Sequence, residues 1–273
     1  MERDMTVGTP WKIILNFTIP IVIGNIFQQF YSMVDTVIVG KFVGTKALAA
    51  VGSTGTIGFL ILGFLMGLTA GFTVLTSQRF GAGDMPGMRK TVGSAAVLSV
   101  IVSVVMTVIS MAFMKPLLIL MNTPEDIFAD AYTYSMLICS GVVACIFYNL
   151  FSSLLRAIGN SVMPLVFLLL SSALNVVLDL WFIAGMGMGV AGAAVATVIA
   201  QGVSVVLCIL YVMTRVRILI PGRKHLDVGR KLYWDLFSQS ISMGLMSSIV
   251  SAGSVILQYG INGLGTLTIA GHT

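Results

Sequence analysis

The sequence predicts an all-α, polytopic integral membrane protein, and composition and run length are the observations that predict it. Of its 273 residues, 57% are hydrophobic and only 9% are charged, whereas about 25% of a typical soluble domain is charged. The mean hydropathy is +1.01. Its apolar runs reach the roughly 20 residues that a membrane helix requires. This composition excludes a soluble globular domain, a disordered chain and a disulfide-stapled secreted domain.

Seven apolar runs, separated by short polar or glycine- and proline-containing connections, define the predicted membrane helices. They lie at about 13–39, 54–78, 92–114, 132–153, 164–183, 191–213 and 236–258. The runs are much longer than the strands of a membrane β-barrel, at about 9–11 residues, and they lack the strict alternation of such strands. A helical bundle is therefore the predicted fold class.

The distribution of Lys and Arg predicts a cytoplasmic N-terminus. With that orientation, twelve of the 15 basic residues fall in inner connections and three in outer ones, as the positive-inside rule requires. The net charge of +5 is then an orientation signal rather than a nucleic-acid surface. Six of the twelve lie in 215–231, which we interpret as a cytoplasmic connector, with an interfacial patch on anionic lipid as the alternative.

A weak internal repeat divides the predicted bundle. An offset of 221 residues aligns Gly44 with Gly265, Thr45 with Thr266 and Ala49 with Ala270. Because an even number of helices returns the chain to the same side, two six-helix units would be parallel repeats, as in several transporter folds. We predict a six-helix lobe over 1–222, then a cytoplasmic linker and the first helix of a truncated second lobe over 223–273.

Two carboxylates lie inside predicted spans. Asp35 is near the outer end of the first span and Asp179 near the outer end of the fifth. An ionised carboxylate in hydrocarbon costs at least about 2.5–3.5 kcal/mol on insertion scales, so such residues usually face a cavity or a partner. A structural hydrogen-bonding role is the alternative for either residue alone, but their shared depth favours a common site.

Three further oxygen-bearing side chains are predicted at the same depth. Asn175 precedes Asp179 by four residues and shares its helical face, while Thr197 and Tyr134 lie near the outer starts of their spans. Carboxylate, amide and hydroxyl oxygens suit a hard cation such as Na+ better than a transition metal. If the five converge, they form a site for H+ or Na+.

Proline and glycine positions add two interpretations. Pro20 lies in the middle of the first span, where it removes a backbone hydrogen bond; it is either a static kink or a hinge that bends as Asp35 changes charge. Gly63, Gly67 and Gly71 recur every four residues in the second span. Such a stripe of small residues lets helices approach closely, so we interpret it as packing.

Two short strings match enzyme motifs only by letter. The GxGxxG string at 187–192 follows a membrane span rather than a strand, which argues against dinucleotide binding. The GxGD string at 81–84 lies in a polar inner loop, and the partner dipeptide of intramembrane aspartyl proteases is absent. Neither nucleophilic triads nor metal-ligand spacings occur, so we predict a protein that is not an enzyme and has no cofactor.

Five stretches resemble one known family, the multidrug and toxic compound extrusion (MATE) transporters. They are Gln28–Gly40, Gly44–Gly52, Leu155–Asn160, Asn175–Asp179 and Gly189–Thr197. In order and spacing they are similar to the amino-terminal lobe of that family. The resemblance implies two six-helix lobes around a central cleft, of which this sequence contains one lobe and the first helix of the other. It also implies export of organic cations, drugs or toxins across the plasma membrane in exchange for H+ or Na+.

The resemblance also implies roles for individual residues. Those matching its coupling and cation-binding positions are Asp35, Asn175, Asp179, Thr197 and, with a looser match, Tyr134. Asp35, Asn175, Asp179 and Thr197 are the implied Na+ ligands if the ion is Na+. Pro20 resembles the helix 1 proline at which bending occurs. The implied partners are small-molecule cationic substrates, the lipid bilayer, and a missing carboxyl-terminal lobe or a second copy.

Three alternatives remain at this point. A lipid-linked saccharide flippase of the same superfamily would need Lys or Arg in its cleft, and the sequence places none deep in a span. A half-transporter that pairs with another lobe would not transport alone. An intramembrane enzyme would have only Asp35 and Asp179 as its acid and base. The antiporter is the function that the residues favour.

Overall fold

The computed structural model describes residues 8–222, 229–264 and 266–272 of the chain. Within those residues the fold is all-helical, which confirms the predicted class. The helices are α1 Pro10–Phe42, α2 Thr45–Gly81, α3 Met85–Leu120, α4 Glu125–Ser140, α5 Val142–Ala157, α6 Val162–Asp179, α7 Gly189–Arg215, α8 Arg230–Asn262 and α9 Thr266–His272. The predicted linker residues 223–228 and residues 1–7 lie outside the described part.

Six of the described helices are long and apolar enough to cross a membrane. Seven spans result if α4 and α5, which meet at 48°, count as one. The chain is therefore a multi-pass membrane protein. No membrane is present, so the cytoplasmic N-terminus and the division at residue 222 stay predictions.

The helix predicted over 132–153 is interrupted at Gly141, although the bent pair of α4 and α5 can still form one span. A Cβ atom at Gly141 would lie 2.5 Å from Cγ2 of Val198 on α7. Glycine permits this close approach, since any side chain would collide with α7. The break consequently sets α4 and α5 against α7 at the residue next to Thr197.

The end of α6 also departs from a regular helix. After Asp179 the chain continues as a π-helix over Leu180–Gly185. Gly187 and Gly189 then adopt positive φ values of 66° and 60°, which glycine accommodates without steric cost, and α7 begins at Gly189. The GxGxxG string is therefore a turn between two membrane helices, as its sequence context predicted.

The glycine stripe of α2 packs against α8, as the sequence predicted for a packing surface. We call Gly63, Gly67 and Gly71 the glycine seam. A Cβ at Gly67 would lie 2.4 Å from the carbonyl oxygen of Met243, and one at Gly71 would lie 2.4 Å from Cα of Ser240. At Gly63 the nearest atom is Oγ of Ser251, at 3.0 Å. Only glycine allows the two helix backbones to come this close.

Hydrogen bonds hold the outer end of α8 to the first lobe as well. The side-chain amide of Asn262 donates to the carbonyl oxygen of Met121 at 2.8 Å. Beyond α8, the hydroxyl of Thr266 donates to the carboxylate of Asp126 at 2.9 Å, and Nζ of Lys46 lies 3.9 Å from that carboxylate. Helix α8 is thus attached to the first lobe along most of its length.

Candidate functional site

The two intramembrane carboxylates come together in the structure. Asp179 is the last residue of α6 and is 0% exposed, and Asp35, in the last third of α1, is half-buried. Their side chains lie close enough to interact directly. The Oδ1 atom of each is buried without a hydrogen-bond donor among the described residues. Two unsatisfied carboxylate oxygens in a membrane bundle are costly unless a proton or a cation binds them.

Asn175 connects this carboxylate pair to α7. Because a carboxylate can only accept hydrogen bonds, the amide is assigned with its nitrogen toward Asp179. In that orientation Nδ2 donates to Oδ2 of Asp179 at 2.7 Å, and the amide oxygen accepts from the backbone N–H of Thr197 at 3.1 Å. The hydroxyl of Thr197 donates to the carbonyl oxygen of Ala193 at 3.0 Å. Asn175 is itself 1% exposed, so this network is internal.

Two tyrosines complete the cluster, one predicted and one missed. Tyr134 of α4 lies beside Asp35, Asp179 and Tyr31, as its predicted depth required. Tyr31 of α1 lies next to Thr197 and within electrostatic range of both carboxylates. Sequence reasoning overlooked Tyr31, although its position four residues before Asp35 places it on the same helical face. We call Tyr31, Asp35, Tyr134, Asn175, Asp179 and Thr197 the acid cluster.

An apolar layer lies next to the acid cluster, on the side that the sequence predicts to be the outer one. Its buried side chains come from the outer end of α1, the outer start of α2, the π-helix and α7, and they are Ile38, Val39, Ala47, Val51, Ile183, Val190 and Ala193. We call this group the outer cap. The cap packs Ile38 and Val39, which follow Asp35 on α1, together with Ile183 and Val190, which follow Asp179.

The π-helix after Asp179 positions one part of that cap. A π-turn inserts an extra residue per turn, and such turns occur frequently at functional sites. Here the segment carries Ile183 into the outer cap immediately after Asp179 ends α6. Only the glycines at 185, 187 and 189 signal irregular backbone in the sequence, and they do not specify a π-helix.

A cavity of about 330 Å³ runs inward from the acid cluster through the interior of the lobe. Tyr31 and Thr197 line its outer end, and Arg156 with Ser161 lines it at the inner ends of α5 and α6. Between them, amide and hydroxyl side chains dominate the polar lining, including Asn25, Gln28, Asn149, Ser152, Ser172 and Gln201. The sequence placed Arg156 in an inner connection, whereas α5 extends to Ala157 and brings it into the cavity wall.

Pro20 lies on the wall of the same cavity. Helix α1 runs without interruption from Pro10 to Phe42, with Pro20 inside it. The structure thus contains one continuous form of this helix. Whether Pro20 acts as a hinge stays a prediction, and its position in the cavity wall connects any bend there to the cavity shape.

The donor set of the acid cluster is suited to a hard cation or a proton. No group of three or more His, Cys, Asp or Glu side chains that could hold a metal ion occurs among residues 8–222, 229–264 and 266–272. The side chains next to Asp35 and Asp179 instead carry carboxylate, amide and hydroxyl oxygens. Such oxygens are the ligands that alkali and alkaline-earth cations prefer.

Comparison with known sequences gives a family match and named relatives. A family model described as MatE matches residues 20–181. Over 272 residues the chain is 30% identical to "Probable multidrug resistance protein YpnP" of Bacillus subtilis, covering 98% of this chain and 60% of that relative. The chain thus spans somewhat more than half the length of this relative.

Solved structures give the same correspondence in three dimensions. An outward-facing multidrug resistance MATE family transporter of the MOP superfamily superposes with a TM-score of 0.80 at 28% identity, covering 90% of this chain and 53% of that one. An inward-facing transporter of that description superposes with a TM-score of 0.78 at 26% identity, covering 89% and 56%. The fold of this chain therefore matches about half of a transporter in either state.

Proposed function

The chain belongs to the MatE family, whose named relatives are transporters rather than enzymes, and we propose that it forms the ion-coupling half of an antiporter. The antiporter exports organic cations, drugs or toxins across the plasma membrane, with the N-terminus of this chain inside. The coupling ion is H+ or Na+, and it enters the exchange as a transported substrate rather than as a resident cofactor.

The observation that carries the proposal is the pair of buried, unsatisfied carboxylate oxygens in the acid cluster. Asp35 and Asp179 lie together next to Tyr31, which lines the polar cavity, and each has an Oδ1 atom without a donor among the described residues. An ion that binds there gains two acceptors that the protein leaves open. Its departure leaves two like charges in contact, which drives the site to take up another cation.

Both coupling ions fit the oxygen donors. A proton would be shared between the carboxyl groups of Asp35 and Asp179, and it would need no further ligand. Na+ would in addition bind the hydroxyl oxygen of Thr197 and the amide oxygen of Asn175, for which the amide would turn its oxygen toward Asp179. The family resemblance and the donor set support either ion, so the choice is made by experiment.

We propose that neutralisation of the carboxylate pair releases the exported cation. A cationic substrate in the cavity is attracted by negative charge at its outer end, and uptake of H+ or Na+ by Asp35 and Asp179 removes that attraction. The change in charge on α1 also alters its preferred curvature at Pro20, which lines the cavity. Substrate then leaves outward while the ion is carried inward.

A complete transporter requires a second bundle, because alternating access moves one bundle against another. The chain covers 60% of the relative YpnP and about half of the solved transporters. We therefore propose that a carboxyl-terminal lobe, or a second copy of this chain, completes the cleft. The encoding DNA beyond codon 273 distinguishes the two possibilities. An open reading frame with five more apolar spans would encode a carboxyl-terminal lobe. An immediate stop codon would require a partner chain.

Ion-driven export from proteoliposomes tests the proposal. The protein, together with its completing lobe, is reconstituted with a fluorescent organic cation and an imposed H+ or Na+ gradient. We expect Asp35→Asn and Asp179→Asn each to lower gradient-driven export about 100-fold, which corresponds to loss of one or two charge-assisted interactions. Asp126→Asn, a change at an exposed carboxylate outside the cavity, is the matched control and should export normally. Wild-type rates for both acid-cluster variants would refute the mechanism.

One observation favours the second candidate, a lipid-linked saccharide flippase. Arg156 lines the cavity, and a flippase needs cationic side chains to bind a pyrophosphate. Among the described residues that line the cavity, however, Arg156 is the only Lys or Arg, and the carboxylates of Asp35 and Asp179 lie next to Tyr31 in the cavity wall. Export that follows an ion gradient, without lipid-linked saccharide, supports the antiporter over the flippase.

A further inference from the structure

A groove of about 450 Å³ lies between α3 and the beginning of α8, and it shares no lining residue with the cavity described above. Leu98 forms its wall on α3, while Arg230, Tyr233, Trp234 and Phe237 form its wall on α8. The four residues on α8 have the i, i+3, i+4, i+7 spacing that places side chains on one helical face. Helix α8 therefore presents one continuous face to this groove.

A different face of α8 attaches the helix to the first lobe at the same level. Leu236 is 0% exposed in the core cluster, and Leu232 packs against that cluster. On the groove face, by contrast, Trp234 is 68% exposed and Phe237 is 37% exposed. Because the packed face holds α8 in place, the aromatic side chains of the groove are available to a molecule from outside the chain.

The groove lies where α8 is predicted to enter the hydrocarbon of the membrane. The predicted span over 236–258 begins next to Phe237, and Arg230 precedes that start by six residues, or about 9 Å at 1.5 Å per residue. Tyrosine and tryptophan concentrate at this level of membrane proteins, because their rings are amphipathic. The groove is thus polar at Arg230, aromatic in the middle and apolar at Phe237.

Arg230 gives the polar end of the groove a positive charge. Among residues 8–222, 229–264 and 266–272, its guanidinium makes no ion pair. Lys231 follows it, and the sequence contains six basic residues in 215–231. A guanidinium binds phosphate through two parallel hydrogen bonds, and basic residues beside a membrane span attract anionic lipids. This end of the groove is therefore suited to a phosphate group.

We propose that the groove binds an anionic glycerophospholipid, with its phosphate on Arg230 and an acyl chain along Phe237 and Leu98. Trp234 would lie beside the glycerol region, at the boundary between the phosphate and the chain. A phospholipid joins an anionic group to an apolar one, which matches the change from Arg230 to Phe237 along one helical face. A soluble anion would use only Arg230 and leave the aromatic wall uncovered.

A lipid in this groove would contact both parts of the predicted repeat. Leu98 belongs to the predicted six-helix lobe, whereas Arg230 and Phe237 belong to the first helix of the predicted second lobe. The bound lipid would therefore hold α8 against α3 at the level of the membrane surface. Such binding goes beyond the proposed function, because it requires neither the coupling ion nor the exported cation.

Quenching of tryptophan fluorescence by brominated lipids tests the proposal, because bromine quenches an indole only at short range. The protein, together with its completing lobe, is reconstituted in phosphatidylcholine vesicles. A rising fraction of the lipid is then replaced by brominated phosphatidylglycerol or by brominated phosphatidylcholine. Each protein is prepared with and without Trp234→Phe, so that the difference gives the fluorescence of Trp234. The proteins are the wild type, Arg230→Gln, Arg230→Lys and the control Arg215→Gln.

The expected result is specific to one lipid and one residue. Brominated phosphatidylglycerol should quench Trp234 at a several-fold lower fraction than brominated phosphatidylcholine. Arg230→Gln should lower that preference about 5-fold, as expected for one basic residue that faces anionic lipid, and Arg230→Lys should keep part of it. Arg215 ends α7, is exposed and lies outside the groove lining, so Arg215→Gln should leave the preference unchanged.

Four results would each overturn the proposal. Equal quenching of Trp234 by the two lipids would indicate ordinary contact with the bilayer, and no quenching by either would mean that the completing lobe covers the groove. A preference that Arg230→Gln leaves unchanged, or that Arg215→Gln lowers as much, would not come from the groove. Displacement of brominated phosphatidylglycerol by inorganic phosphate would indicate a site for soluble anions instead.

Discussion

Helices α1 and α8 occupy corresponding positions in the repeat that the sequence predicts, but they differ in the side chains they carry. Both contain 33 residues, and the helix that follows begins at Thr45 in one case and at Thr266 in the other. At the offset of 221, Asp35 corresponds to Ile256, Tyr31 to Ala252 and Pro20 to Ile241. At these three positions, the carboxylate, the tyrosine and the proline of α1 have only aliphatic counterparts in α8.

The two helices also contact the first lobe through different surfaces. Helix α8 packs on the glycine seam so closely that backbone meets backbone at Met243 and Ser240. At Gly24 of α1, by contrast, a Cβ would meet only the side chains of Leu165 and Leu168, at 3.6 and 3.7 Å, which is ordinary contact. The difference teaches that the helix with the ionisable group is held more loosely than its repeat partner.

The largest effect should come from moving the carboxylate between the two helices. Asp35→Asn lowers ion-driven export about 100-fold, and adding Ile256→Asp should not restore it. Ile256 is 74% exposed on α8, so an aspartate there lacks Asp179, Asn175 and Thr197 as neighbours. Export by the double variant is compared with that by Asp35→Asn in proteoliposomes. Recovery to more than a tenth of the wild-type rate would show that the two helices are interchangeable.

A second prediction concerns the glycine seam. Gly67→Ala places a Cβ against the backbone of Met243, so α8 must move away, and we expect a loss of about 2 kcal/mol in the free energy of unfolding. Gly58→Ala lies on the same helix with open space around it and should be neutral or stabilising by up to about 1 kcal/mol. Unfolding in detergent, monitored by circular dichroism, measures both. Equal stability of the two variants would mean that the seam is not tightly packed.

A third prediction compares the effects of removing a tyrosine hydroxyl from α1 and from α8. Tyr31→Phe removes the hydroxyl beside Thr197 and the carboxylates, and we expect a roughly 5-fold weaker apparent affinity for the coupling ion, as for one hydrogen bond. Tyr259→Phe on α8, where the side chain is exposed, is the control. The ion concentration that gives half-maximal export is the quantity measured. A shift for Tyr259→Phe as large as that for Tyr31→Phe would contradict the assignment of Tyr31 to the acid cluster.

The smallest effect is expected at Pro20. Pro20→Ala restores a backbone hydrogen bond and stiffens α1, so we expect export to slow about 2- to 3-fold while ion affinity at the acid cluster is unchanged. Ile241→Ala, at the corresponding position of α8, should leave the rate unaltered. Rate and ion affinity are read from the same transport series. A change in ion affinity without a change in rate would assign Pro20 to the site rather than to a hinge.

Much of this fold follows from local pattern in the sequence. Apolar run length alone predicts a helical membrane bundle, and the four-residue spacing of Asn175 and Asp179 places both on one helical face. Shared depth then brought Asp35, Thr197 and Tyr134 into the same predicted site. Each inference needs only the rise and periodicity of a helix, and the structure places these side chains near one another.

What the sequence did not predict depends on contacts between helices. The break at Gly141 exists because α7 approaches there, and no local signal distinguishes that glycine from the many others. The π-helix after Asp179 and the placement of Arg156 in the cavity likewise depend on packing around them. Tyr31 differs, because its helical phase with Asp35 was available and was overlooked.

The glycine seam has a consequence for the order in which the protein is made. About 190 residues separate Gly63 from Ser251, which it faces, and synthesis at about 5–20 residues per second takes about 10 to 40 seconds to produce them. During that interval α2 lies in the bilayer with an uncovered groove that fits the backbone of another helix. Biogenesis must therefore keep this groove from foreign helices until α8 emerges, and site-specific crosslinking from Gly67 to the insertion machinery or its chaperones in stalled chains would detect that protection.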